Sequence, residues 1–197
     1  MNRPRVFPAI LFLCLGLLAG CALFQSHPET QARRYDLGPA ADIPPFARPW
    51  RVSVRADEGL EDTGMRYRLL YADPAEIRVY AHSRWADMPA GVLRQALESR
   101  LHEPVETVET HCSLHLELLR FEQEFRNPGD SRGALVVRAA LRHGGTLVDE
   151  RLMTHTAVAP TPDAAGGVLA LARAVDQLAA ALRAWRAGQA VCRGTYP

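Results

Sequence analysis

The chain is predicted to fold as an α/β (α+β) domain: a mainly antiparallel or mixed sheet with two principal helices packed on it, preceded by a lipoprotein signal peptide and a tether. Runs of alternating, β-branched and aromatic residues, divided by strong turn chemistry, supply the strands. Two stretches with apolar residues at spacings of three and four supply the helices. A basic start, a short apolar run and a small-small-Cys ending supply the leader.

Arg3 and Arg5 form the basic n-region, and Val6 to Leu18 is apolar apart from Pro8 and Gly16. That run is short of the roughly 20 apolar residues a membrane span needs. Leu18-Ala19-Gly20-Cys21 then has the spacing of a lipoprotein cleavage site, in which small residues enter a narrow protease cleft and the Cys sulfur is acylated. A plain secretory signal with a chance Cys, or a cytoplasmic protein with an apolar start, are the alternatives. Charge, apolar core and small-small-Cys arriving in order favour the lipoprotein. Cys21 is therefore the expected lipidation site, and several acyl chains at about 0.8 kcal/mol per methylene would hold it at a membrane. Ala22 rather than Asp follows the Cys, which resembles the pattern that permits export to the outer membrane.

The expected organisation is a signal peptide over residues 1–20, a lipid-anchored tether over residues 21–33 and one domain over residues 34–197. The tether is polar, with little apolar pattern, and reaches roughly 45 Å when extended. Arg34 to Pro39 reads as a short strand closed by a turn, followed by a Pro-rich loop from Ala40 to Pro49. Trp50 to Ala56 alternates around Val52 and Val54, as a half-buried strand does.

Met65 to Tyr71 and Glu76 to Ala81 are strand-like runs, with Ala72-Asp73-Pro74-Ala75 expected as the hairpin turn. A helix is expected from about Met88 to His102, capped by Asp87, with Val92, Leu93, Ala96, Leu97 and Leu101 as its buried stripe. Ser113 to Phe125, Ala134 to Arg142 and Thr146 to Val158 read as an antiparallel meander, broken at Asn127-Pro128-Gly129-Asp130 and His143-Gly144-Gly145. Leu114, Leu116 and Leu118 alternate, but the phase shifts near Leu119 and Phe121, so a bulge is expected there.

The closing helix begins at Thr161-Pro162-Asp163, read as a cap followed by Pro at the first helical position. Val168, Leu171, Val175, Leu178, Leu182 and Trp185 make a seam roughly 25 Å long, and Gly188 ends it. Such a seam suits a coiled coil, but a single helix after a sheet more often packs on that sheet.

With 23 basic and 22 acidic residues the chain is close to neutral, so it lacks the basic excess of a nucleic-acid binder. Every basic residue is Arg; their scatter fits codon bias better than a phosphate-binding cluster. Beyond Cys14 and Cys21 only Cys112 and Cys192 remain, and in an oxidising periplasm a leftover pair is most simply a disulfide. A reactive Cys112 thiol is the alternative, with no activating base assignable.

No nucleophile elbow, P-loop, dinucleotide-binding turn or His-Glu-x-x-His helix is present, so neither catalysis nor a cofactor is indicated. His111, Ser113, His115 and Glu117 would share one strand face, but neighbours there stand about 7 Å apart, awkward for converging metal ligands. Tyr67, Tyr71, Arg84 and Trp85 are the candidate partner contacts, because Trp, Tyr and Arg are enriched at interface hot spots. Packing of the aromatics beneath the helices is the alternative.

Several phrases together resemble a known family: Arg34-Tyr35-Asp36-Leu37-Gly38-Pro39, Met65-Arg66-Tyr67-Arg68 with Tyr71, and Tyr80-Ala81 followed by Ser83-Arg84-Trp85-Ala86-Asp87-Met88-Pro89. Leu118 to Phe125 and the closing helix to Trp185 complete the match. The chain is similar over nearly its whole mature length to the ABC-type transport auxiliary lipoproteins, the PqiC-like family of intermembrane transport. The resemblance implies a non-catalytic envelope lipoprotein on the periplasmic face of the outer membrane. Its partners would be a periplasmic MCE-domain protein and an ABC permease and ATPase, serving lipid transport, with homo-oligomerisation left open. A stand-alone lipid-binding lipoprotein, or a pilotin-like assembly factor for an outer-membrane machine, are the competing readings.

Overall fold

The computed structural model describes residues 31–38, 47–104 and 111–193; the expected signal peptide, Cys21 and most of the tether lie outside the described residues, as does most of the Pro-rich loop. In chain order the described elements are β1 (Arg33–Tyr35), β2 (Ala47–Pro49), β3 (Arg51–Ala56), β4 (Gly64–Leu69), β5 (Asp73–Trp85), α1 (Pro89–Glu98), β6 (His102–Pro104), β7 (Cys112–Asn127), β8 (Asp130–His143), β9 (Thr146–Val158) and α2 (Ala164–Gly188). Single 3-10 turns lie at Glu58–Leu60 and Ala190–Cys192.

The sheet is mixed and runs β1-β5-β4-β7-β8-β9, with β3 also paired to β7. One side of β7 serves two strands in succession. β3 runs parallel to its first half, placing Val52 opposite Leu114 and Val54 opposite Leu116. β4 runs parallel to its second half, placing Tyr67 opposite Gln123. Between them Asp57 accepts a hydrogen bond from Glu58 N at 2.9 Å, and the short turn drops Leu60 into the core. Along the other side β7, β8 and β9 form the expected antiparallel meander. The phase shift is a bulge at Leu119, since Leu118 faces Val137 and Arg120 faces Val136.

Several boundaries differ from the sequence expectation, each for a local reason. The hairpin turns at Leu70-Tyr71-Ala72, because Leu69 already pairs with Asp73. Asp73 Oδ1 accepts from Ala75 N at 2.8 Å, and Pro74 lies on a free strand edge where its missing N–H costs no ladder bond. β5 then continues to Trp85, so Ser83-Arg84-Trp85 is strand paired to β1. That pairing also puts Arg33, expected in the tether, into β1.

Helix α1 stops at Glu98. Its N-cap is Met88, while Asp87 Oδ1 accepts from Met88 N at 2.7 Å, one residue too early to cap the first turn. After Ser99 the chain turns Leu101 inward, and His102–Pro104 leaves the helix to pair antiparallel with β2, the end of the expected Pro-rich loop. The cap of α2 is Asp163, which accepts from Gly166 N at 2.8 Å and from Thr161 Oγ1 at 2.7 Å. Pro162 therefore precedes the helix. The backbone amide of Gly166 is the main reason the Asp163 carboxyl lies below its ordinary pKa.

The core joins both helices to one sheet face. Val92, Leu93, Ala96, Leu97 and Leu101 are all buried, as is the whole seam from Val168 to Trp185. Thus α2 packs on the sheet, against β8 and β9. By length and composition α2 could cross a membrane, but its seam from Val168 to Trp185 is buried in the domain core. Trp85 and Phe121 pack with their ring centres 4.9 Å apart and their planes tilted by 43°. A disulfide joins Cys112 at the start of β7 to Cys192 beyond α2, with Cα atoms 5.8 Å apart.

Candidate interaction surfaces

The four candidate partner contacts are divided between core and surface. Tyr67 on β4 lies 4.6 Å from the Tyr80 ring of β5 and 5.9 Å from Phe125 of β7. Tyr80 donates its hydroxyl to Gln123 Oε1 at 2.8 Å, and Gln123 Nε2 donates to Ser131 Oγ at 2.8 Å. Burial, with Tyr67 next, pushes the Tyr80 hydroxyl pKa well up, so it remains a donor. This chain satisfies an amide that is buried among apolar neighbours. Tyr71 stands apart at the hairpin tip, 48% exposed. Trp85 is 2% exposed, so its ring packs in the core. Arg84 directs Nη1 to the carbonyls of Tyr80 and Ser83, bracing its own strand where the register with β4 shifts.

The sheet face opposite the helices carries charge in rows, because alternate residues of β3, β7, β8 and β9 point there. Beyond the bulge, Glu122 and Glu124 are buried on it. Arg68 reaches Glu122 at 2.6 Å, while Arg120 and Arg132 reach Glu124 at 3.0 and 2.8 Å. The guanidinium stems cover carboxylates that a sheet face would otherwise leave wet. Further along, Glu117 pairs with Arg138, and Ser53, Arg55, His115 and Arg142 line a basin of about 410 Å3 with them.

Ser113, His115 and Glu117 do share this face, whereas His111 precedes the strand with φ 47°. His115 is held between Ser53 Oγ at 2.9 Å and Ser113 Oγ at 3.0 Å. Burial first, then Arg142 and Arg55, lower its pKa, so the ring is neutral near pH 7, donating to one hydroxyl and accepting from the other. Among the described residues, no group of three His, Cys, Asp or Glu converges as metal ligands.

Sequence reasoning missed the apolar side chains on exposed sheet positions. Ile77 and Val79 lie on β5, and Leu152 and Val158 on β9, all exposed. Their alternation was legible, but which strand would stand at an edge was not.

No family model matches the chain. No curated protein matches it either. Solved structures do. A crystal structure of a Xanthomonas campestris protein of family DUF330 is 18% identical with a TM-score of 0.61, covering 78% of this chain and 94% of that one. A crystal structure of an uncharacterized protein is 16% identical with a TM-score of 0.61, covering 79% of this chain and 98% of that one. The chain is thus a mixed α+β domain with the fold of these proteins.

Proposed function

We propose that this protein is a non-catalytic, lipid-anchored envelope lipoprotein, the auxiliary component of an ABC/MCE-type system moving lipids between membranes. It is held at the periplasmic face of the outer membrane through Cys21, and its domain docks on the periplasmic MCE protein. One observation carries the reading: the lipobox pattern Leu18-Ala19-Gly20-Cys21 precedes a domain with the fold of a DUF330 protein, the likeness covering 94% of that protein's length. DUF330 corresponds to the PqiC-like family, whose phrases this sequence resembles. The exposed Tyr71 and the hairpin beneath it give the domain an aromatic contact for a partner.

Cross-linking in intact cells, followed by purification from detergent-solubilised envelopes, is expected to recover an MCE-domain protein with the lipoprotein. A stoichiometric lipid without any protein partner would replace this reading with the stand-alone carrier. A secretin in its place would make the protein a pilotin-like factor.

A further inference from the structure

β9 is the last strand of the sheet, and among the described residues no strand pairs with its free side. Natural sheets protect such edges with charges, proline or bulges, because a row of free N–H and C=O groups is a template for another chain. At the opposite end of the sheet, where β1 covers only Ser83 to Trp85, the open part of β5 is protected in this way: it carries Asp73, Pro74, Glu76 and Arg78 and shifts register against β4. β9 is not. Its charges, Asp149-Glu150-Arg151, stand near its start, and Leu152 to Val158 contains no Asp, Glu, Arg or Pro. Its ladder with β8 runs without a register shift from Asp149 to Val158.

A groove of about 660 Å3 lies beside this edge, between β9 from Arg151 to His155 and the last turns of α2. Ala181 and Ala184 form its helical wall, with Trp185 closing the end near Arg151. An added strand would lie about 4.8 Å from β9, in the plane of the sheet. Its alternate side chains would enter the groove over Met153 and His155, and the others would cover Leu152 and Val158, which are 66% and 63% exposed. Charge chooses the flanks of that strand. Arg151 stands at one end, and Arg173 at the other, 3.4 Å from the Val158 carbonyl. The nearby acids are engaged: Asp149 accepts from Trp185, Arg151 and Gln189, and Glu150 lies 3.8 Å from Arg138.

We propose that β9 and α2 form a strand-acceptor groove that takes an extended segment of a partner protein, apolar and β-branched along its middle and acidic toward its ends. The segment extends the sheet past β9, with main-chain hydrogen bonds supplying affinity and alternate side chains supplying selectivity. This property belongs to the domain whether or not the partner is an MCE protein.

The test selects a random linear peptide library on the full-length, detergent-solubilised lipoprotein and resynthesises the enriched peptide. Enriched sequences should alternate apolar residues and end in Asp or Glu, and the bound peptide should slow amide exchange across Leu152 to Val158. Ala184→Trp, at an exposed helix position, should weaken binding by about tenfold or more while leaving the melting temperature unchanged. Arg151→Glu combined with Arg173→Glu should also weaken binding of the acidic-ended peptide. Failure to enrich linear peptides would overturn the proposal, as would a peptide that leaves β9 exchange unaltered or binds Ala184→Trp equally well. Self-association abolished by Ala184→Trp without peptide binding would assign the groove to a second copy of the chain, and would overturn it as well.

Discussion

Trp185 on α2 donates its indole Nε1–H to Asp149 Oδ2 on β9 at 2.7 Å. This bond ties the end of the closing helix to the start of the last strand, and Arg151 lies over the same indole at 5.5 Å. The Trp185 bond is the largest reason that the Asp149 carboxyl lies below its ordinary pKa of 3.8. A carboxyl lowered in the folded state contributes stability that is complete above its unfolded pKa and lost as pH falls through the folded value. Trp185→Phe should therefore raise the Asp149 pKa toward 3.8, measured by NMR titration. The stability gap between the native chain and Asp149→Asn should narrow below about pH 4. An Asp149 titration unmoved by Trp185→Phe would assign the shift to another neighbour.

The Cys112–Cys192 bridge spans a sequence separation of 80 residues and fastens the end of the domain to the first residue of β7. Constraining so long a loop limits the unfolded chain, and removing such a bridge typically costs about 2–5 kcal/mol. Cys112→Ala with Cys192→Ala should lower the urea midpoint accordingly, without changing the far-UV spectrum. Non-reducing peptide mapping of periplasmic material should recover the two cysteines in one linked pair, and recovery as free thiols would contradict the bridge.

Gly133 on β8 lies directly under α2. A Cβ added there would stand 2.7 Å from the Leu171 backbone nitrogen and 2.9 Å from the Ala170 carbonyl carbon. Exchanging Gly for Ala in a strand ordinarily helps by reducing unfolded-state freedom. Here backbone must move, and overpacking of this kind costs about 1–3 kcal/mol. Gly133→Ala should lower the melting temperature by several degrees. A neutral or raised value would mean that α2 can lift off the sheet at no cost.

Cys21 lies in the chain before the described domain, so its role rests on the leader pattern. Cys21→Ala should abolish metabolic labelling with palmitate while the Cys112–Cys192 bridge still forms, since both bridge cysteines lie within the described domain. On the proposed function, envelope lipid transport should fall with the label. Full transport by a soluble periplasmic version would show that anchoring is dispensable.

What was legible in the sequence is what one segment decides by itself. The seam of α2, the turns at Pro128-Gly129 and Gly144-Gly145, and the alternation of Leu114, Leu116 and Leu118 all depend on neighbours within a few residues. Gly144 and Gly145 have φ of 55° and 85°, as a tight hairpin turn requires. What was not legible depends on distant chain. His102–Pro104 is a strand only because Ala47–Pro49 offers it a partner. The burial of Trp85 depends on Phe121, and the groove at β9 exists because the sheet ends there.

The bulge at Leu119 was legible and gives a direct test of what pins the register of β7. Before it, Leu114, Leu116 and Leu118 face the helices; after it, Phe121, Gln123 and Phe125 do, opposite Leu135, Gly133 and Ser131 of the unbulged β8. Deleting Leu119 removes the extra residue and leaves Phe121 opposite Leu135, and every later residue keeps its face. Inserting one Ala after Leu119 instead turns Glu122 and Glu124 toward the core and Phe121 toward water, the result of a one-residue slip. The deletion should retain a cooperative melt, lowered by about 1 kcal/mol, or several degrees. The insertion should abolish the near-UV signal of the packed Trp85 and Phe121. Equal tolerance of both changes would mean that burial on the helical face does not set the register of the strand on which the sheet is built.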